Sequence, residues 1–201
     1  TAVNARTNID VMGAAETGTI KVNRDVGFTG RIGTAAKPIE GIYYDSDTTF
    51  TYRGNGGIFD LHTSDNTIGP GPILGDGNGA FIAQYDGVKE IDVNIGTDAL
   101  KLKYVAFSPA TGGGASTATL KAGREIHSLE LDLYPFERTG VAVTDATLTI
   151  EGNTLIDAPI TTNTNSNLGK VIFTANSTVR QDIGAKDPGR INRVEFASNN
   201  T

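Results

Sequence analysis

Apolar residues in this chain recur at every second position in short runs, the period of a strand with one buried face. Ile20-Lys21-Val22 and Val26-Gly27-Phe28 give two such runs, followed by Ile42 to Tyr44 and Phe50-Thr51-Tyr52. Phe81, Ala83 and Tyr85 alternate, as do Ile91, Val93 and Ile95, and Asp86-Gly87 between them predicts a hairpin turn. Leu100 to Lys103 alternates too, and its change of phase at Tyr104-Val105 predicts a bulge. The cleanest run is Ser128 to Tyr134, with Leu129, Leu131 and Leu133 on one face and Glu130 and Asp132 on the other. Strict alternation and the following Pro135 favour a strand over a helix there. Val141 to Ile150 adds a strand or strand pair, turned by Glu151-Gly152-Asn153.

Between these runs the chain is punctuated by glycine, proline and polar tracts. Residues 68–79, IGPGPILGDGNG, hold too much glycine and proline for a helix or an interior strand and predict a surface loop. A second loop is expected over residues 111–116, TGGGAS, and a polar one over the TTNTNSN tract that begins at Thr161. Residues 1–17 are weakly patterned and are expected to form an arm, an edge strand or a piece that pairs with a neighbouring subunit. The reading is a single all-β domain over residues 1–201.

A longer-range repeat overlies the alternation. Gly18 to Tyr44 and Gly169 to Phe196 each open on glycine and carry an Ile-Gly pair fourteen residues on, at Ile32-Gly33 and Ile183-Gly184. Apolar positions follow at Ile39, Ile42 and Tyr44 in the first copy, and one place later at Ile191, Val194 and Phe196 in the second. A third pair, Ile95-Gly96, is followed by Leu102, Val105 and Phe107 at the first copy's spacing. Glycine permits positive φ and hence a sharp bend, so the frame predicts strand, bend, short loop, strand.

Composition narrows the function. With 17 Lys and Arg against 23 Asp and Glu, the formal charge of −6 disfavours nucleic acid, whose phosphates need clustered cations. The absence of Cys removes disulfides and thiolate metal sites, and no run has the length of a membrane span, so no membrane insertion is expected. The opening Thr1 suggests removal of a leader or of the initiator Met, or excision from a longer chain.

No catalytic constellation is legible. The two histidines, His62 and His127, stand in no hydrolase motif, and a strand-edge or surface imidazole is expected for each. Glu130 and Asp132 would lie about 7 Å apart on an extended strand, within the range of glycosidase carboxylate pairs; a solvated strand face has the same appearance. Asp76 and Asn78, and Asp45 and Asp47, are candidate calcium ligands, although the rest of a calcium loop is missing. No other cofactor is expected. Tyr43, Tyr44, Tyr52 and Tyr85 are available as aromatic contacts for sugars.

The segment from Thr147 to Gly184, TLTIEGNTLIDAPITTNTNSNLGKVIFTANSTVRQDIG, followed by INRVEFASNNT, resembles the passenger repeats of rickettsial-type autotransporter surface antigens. That resemblance implies an exported, non-enzymatic surface protein built on a parallel β-solenoid. The Ile-Gly pairs stand 63 and then 88 residues apart, however, beyond the usual solenoid period. With the apparent hairpin, this makes an antiparallel β-sandwich of jelly-roll type the expected fold, and a parallel β-helix or solenoid the alternative. The expected function is a non-enzymatic structural protein, extracellular or on the cell surface: a subunit of a surface layer, filament or virion, or an adhesin segment. Its partners would be itself or neighbouring structural subunits, through strand addition at an edge such as Gly169, Val171 and Phe173. A carbohydrate-binding β-domain and a glycosidase or lyase are the alternatives.

Overall fold

The computed structural model describes residues 3–5, 19–22, 26–28, 41–44, 49–52, 73–74, 80–84, 87–109, 114–133, 146–162, 168–184 and 190–197. Within them the chain is a parallel β-solenoid, and every strand pairing is parallel. Strands are numbered in chain order. A seven-stranded sheet runs β1 (Val3–Ala5), β3 (Val26–Phe28), β5 (Thr49–Tyr52), β7 (Ala80–Gln84), β9 (Tyr104–Ser108), β12 (Leu131–Leu133), β15 (Ile160–Thr161). A five-stranded sheet runs β18 (Arg193–Phe196), β16 (Lys170–Phe173), β13 (Ala146–Ile150), β10 (Ser116–Leu120), β8 (Gly87–Ile91). Two three-stranded sheets complete the set: β11 (Glu125–His127), β14 (Leu155–Asp157) and β17 (Thr178–Val179), and β2 (Thr19–Val22), β4 (Gly41–Tyr44) and β6 (Ile73–Leu74).

The alternation seen in the sequence makes this possible. Strands of two to five residues leave one face apolar, and each turn sets that face on the same face of the turn before, about 4.8 Å away. In the five-stranded sheet Ile91, Leu120, Ile150, Phe173 and Phe196 stack in register, 29, 30, 23 and 23 residues apart. In the seven-stranded sheet Phe50, Phe81, Val105, Leu131 and Ile160 do the same, ending on a single pairing with Ile183. Ile95, Ile126, Ile156 and Val179 form the third column. The three columns meet inside the coil as one core, and most of their members are fully buried. Phe50 and Phe81 stack with centroids 6.1 Å apart, and Phe173 and Phe196 with centroids 5.2 Å apart.

The expected antiparallel sandwich is therefore incorrect. The residues at Asp86-Gly87 do not close a hairpin, because β7 and β8 belong to different sheets and the chain turns a corner between them. The phase change at Tyr104 is likewise a corner and not a bulge. Leu102 makes a lone parallel pairing with Ser128, and β9 begins only at Tyr104 in another sheet. In the run from Ser128 to Tyr134, whose last residue lies outside the described residues, β12 begins only at Leu131, leaving Leu129 56% exposed while Leu131 and Leu133 are buried. Period two reports that one face is buried; it is blind to which strand lies alongside.

The repeat frame has a physical meaning. β2 pairs with β4, placing Ile20 beside Ile42, and β16 pairs with β18, placing Val171 beside Val194. Each frame is one full turn of the coil, of 22 and 23 residues, which accounts for the one-residue offset between the copies. The copies do not share a side of the coil: β2 and β4 lie in a three-stranded sheet and β16 and β18 in the five-stranded one, while Ile95 stands in the third column and β9 in the seven-stranded sheet. Within residues 1–17, Val3–Ala5 is the edge strand of the seven-stranded sheet among the described residues, and parts of the expected loops are strand: Ile73–Leu74 in 68–79 and Ser116 at the end of 111–116.

The stacked columns predict that Leu148→Ala lowers unfolding free energy by about 2–5 kcal/mol, because Leu148 is fully buried. Leu129→Ala is expected to change it by no more than about 0.5 kcal/mol. Urea unfolding of the two variants checks this, and equal losses would contradict the corner at Leu129.

Candidate functional site

One corner of the coil brings together two buried ionisable side chains, His127 and Asp157. The residues that follow the third apolar column are Gly96, His127, Asp157 and Arg180, one from each of four successive turns. His127 and Asp157 are direct register partners. At the first position only glycine is accommodated: Gly96 has φ +73°, and a Cβ there would collide with the backbone oxygen of His127. The backbone then turns tightly, Thr97 and Leu100 exchanging N–H···O bonds of 3.3 and 3.2 Å, and carries Asp98 and Lys101 to the corner.

The result is a buried imidazole ringed by charge. His127 is 2% exposed. Its Nε2 lies 2.9 Å from Oε2 of Glu125, and its Nδ1 lies 3.2 Å from Oδ1 of Asp98 and 3.6 Å from Oδ2 of Asp157. Lys101 Nζ donates to Oδ2 of Asp157 at 2.6 Å, and Gln181 Nε2 donates to Oδ1 at 3.2 Å. Arg180 Nη1 donates to Oδ1 of Asp98 at 3.0 Å and stands 3.8 Å from Oδ2 of Asp157. The Lys101 hydrogen bond, aided by Gln181 and the Lys101 charge, holds the Asp157 carboxyl below its ordinary value of 3.8 against the opposing effect of burial. Asp98, His127 and Asp157 each offer one donor atom, and these atoms lie within 4.8 Å of one another.

A second charged column flanks the five-stranded sheet. Lys121 lies between Glu151, at 2.8 Å, and Glu90, at 3.6 Å. The hydrogen bond to Glu151 and the two carboxylate charges raise its pKa above the ordinary 10.5, although desolvation opposes them. Arg124 Nε donates to Asp92 at 2.7 Å on the same side of the molecule.

The residues singled out by sequence fall elsewhere. Glu130 is exposed, whereas Asp132 is buried and accepts a 2.8 Å hydrogen bond from Tyr104, so the two carboxylates do not share a solvated face. Gly169, Val171 and Phe173 belong to β16 or its approach, and β16 is paired on both sides; the outermost strand of that sheet among the described residues is β18. His127 is not at the surface but in the core wall. His62, Asp45, Asp47, Asp76, Asn78 and Tyr85 lie outside the described residues, as do the side chains of Tyr43, Tyr44 and Tyr52. Sequence reading missed Asp98, Lys101, Asp157, Arg180 and Gln181, which span more than eighty positions. The available signal was the spacing of Ile95, Ile126, Ile156 and Val179, each followed by the corner residue.

No protein-family model matches the chain, and no similar curated protein or solved structure was found.

Gly96→Ala is expected to cost more than about 2 kcal/mol, because it combines positive φ with a backbone clash. Gly123→Ala, also at positive φ but with open space around it, should cost about 1–2 kcal/mol. Thermal denaturation of the pair separates the two. Because the Lys121 pKa is raised on folding, its ion pair contributes stability that is fully present below 10.5 and lost as pH rises through the folded-state value. Urea midpoints should therefore fall more steeply above pH 10.5 for the unmodified chain than for Lys121→Gln.

Proposed function

We propose that this chain is a carbohydrate-binding β-solenoid and that its Asp98–Arg180 corner contacts the glycan. The observation that carries the reading is the column of fixed donors and acceptors drawn from four turns of the coil. Sugar hydroxyls each donate and accept, so a glycan is recognised by side chains of both kinds held at set separations. Lys101, Arg180 and Gln181 supply donors at the corner, and Glu125 and Asp98 supply acceptors. Asp98, Arg180 and Glu125 are 71%, 47% and 48% exposed, enough to exchange an internal contact for a ligand hydroxyl. Their backbones are set by the parallel ladder and by a short hydrogen-bonded turn, so little ordering is left to be done on binding. Contact without chemistry is sufficient for this role.

Affinity electrophoresis through soluble polysaccharides, followed by a glycan array, tests the reading. Retardation by at least one polysaccharide is expected, and Arg180→Ala with Gln181→Ala should weaken it about tenfold, the loss of one or two hydrogen bonds. Uniform failure across acidic and neutral polysaccharides would end it.

A second reading, self-assembly of a structural surface protein, is favoured by one feature. β18 is paired on one side only among the described residues, and its Val194 and Phe196 are 39% and 76% exposed. Such an edge is suited to strand addition by a second copy. Concentration-dependent sedimentation that Phe196→Lys abolishes would support this reading, and a monomer at every concentration would remove it.

A further inference from the structure

We infer that Asp98, His127 and Asp157 form a binding site for a divalent ion of the zinc class, held by Nδ1 of His127 and one oxygen of each carboxylate. The inference is independent of the glycan reading, and its test requires no sugar.

The starting point is the orientation of a buried ring. Glu125 Oε2 lies 2.9 Å from Nε2 of His127. An ionised carboxylate only accepts, so Nε2 carries the proton and donates it to Glu125. In the neutral ring Nδ1 is then a lone pair. It is buried and has no hydrogen-bond partner. Its charged neighbours are carboxylate oxygens, Asp98 Oδ1 at 3.2 Å and Asp157 Oδ2 at 3.6 Å. Three such atoms converging on one point require either a proton on Nδ1 or a bound cation between them, and metal titration separates the two. Lys101 and Arg180 partly neutralise the two carboxylates, but neither gives Nδ1 a hydrogen bond.

The spacing around Nδ1 suits a small ion, with the three donor atoms all within 4.8 Å of one another. An ion bound tetrahedrally at about 2.0–2.2 Å from nitrogen and oxygen donors places those donors about 3.4 Å apart. The two distances from Nδ1, 3.2 and 3.6 Å, bracket that value. One nitrogen with two carboxylates suits zinc and its neighbours; calcium takes six to eight oxygens. Three protein donors leave a fourth position for water. Glu125 on the far ring nitrogen completes a carboxylate–histidine–metal arrangement, which fixes the tautomer and the ring. The ion and Lys101 compete for Asp157, so the lysine tunes the site downward.

The test is titration of Co2+ and then Zn2+ into the full chain after dialysis against chelator, read by Co2+ visible absorption and by calorimetry. One equivalent is expected, with the intense bands of four-coordinate Co2+, displaced by Zn2+ and unaffected by excess Ca2+. Asp98→Asn, at an exposed side chain that leaves the core intact, should weaken affinity at least tenfold, and Glu125→Gln about tenfold. Lys101→Met should strengthen it by removing the competing ammonium. Absence of the bands, binding unchanged in Asp98→Asn, or weaker binding in Lys101→Met would each overturn the site, leaving a protonated imidazole bridging the two carboxylates. Circular dichroism of each variant confirms that a lost signal is not lost fold.

Discussion

The structure depends on turn-to-turn register. Each backbone ladder is satisfied only by the turns before and after it, and the apolar columns are continuous only if every turn returns its inward residues to the same angular position. Ile91, Leu120, Ile150 and Phe173 meet this condition although their separations change from 29 and 30 residues to 23. Variation in turn length falls between the paired strands, whose mutual register it leaves unchanged. A one-residue slip within a strand would exchange the buried and solvent faces of that turn.

Register also governs the charged surface. Outward residues one turn apart stand near the strand spacing of about 4.8 Å, so like charges repel and opposite charges attract along each column. Glu90, Lys121 and Glu151 alternate in sign across three turns, and Lys170 meets Glu195 at 2.8 Å across two. The acidic excess of the chain is thus accommodated without long stacks of like charge along these columns. Where β11 leaves its sheet, the same geometry brings His127 and Asp157 together, and the turn after Gly96 adds Asp98 and Lys101.

That corner is suited to recognition because it combines a rigid support with groups at different depths. His127 and Asp157 are buried and oriented by the ladder, whereas Asp98, Glu125 and Arg180 reach into solvent. A ligand meeting the outer groups therefore encounters positions set by the whole coil. The inferred cation site draws on both depths, the buried His127 and Asp157 and the exposed Asp98.

The local sequence was sufficient to determine that the chain is built from short strands with one apolar face, because alternation is a property of neighbouring residues. It also marked one full turn of the coil in Gly18–Tyr44 and Gly169–Phe196, each of which ends on a strand paired with the strand it opens on, although the two copies lie in different sheets. Strand partners were decided only by the tertiary structure. A run such as Phe81 to Ile95 has the same period whether it folds back as a hairpin or passes a corner into another sheet, and the difference lies in contacts with residues some thirty positions away. The corner chemistry was hidden for the same reason: Asp98, His127, Asp157 and Arg180 share no local motif and become neighbours only when four turns stack in register.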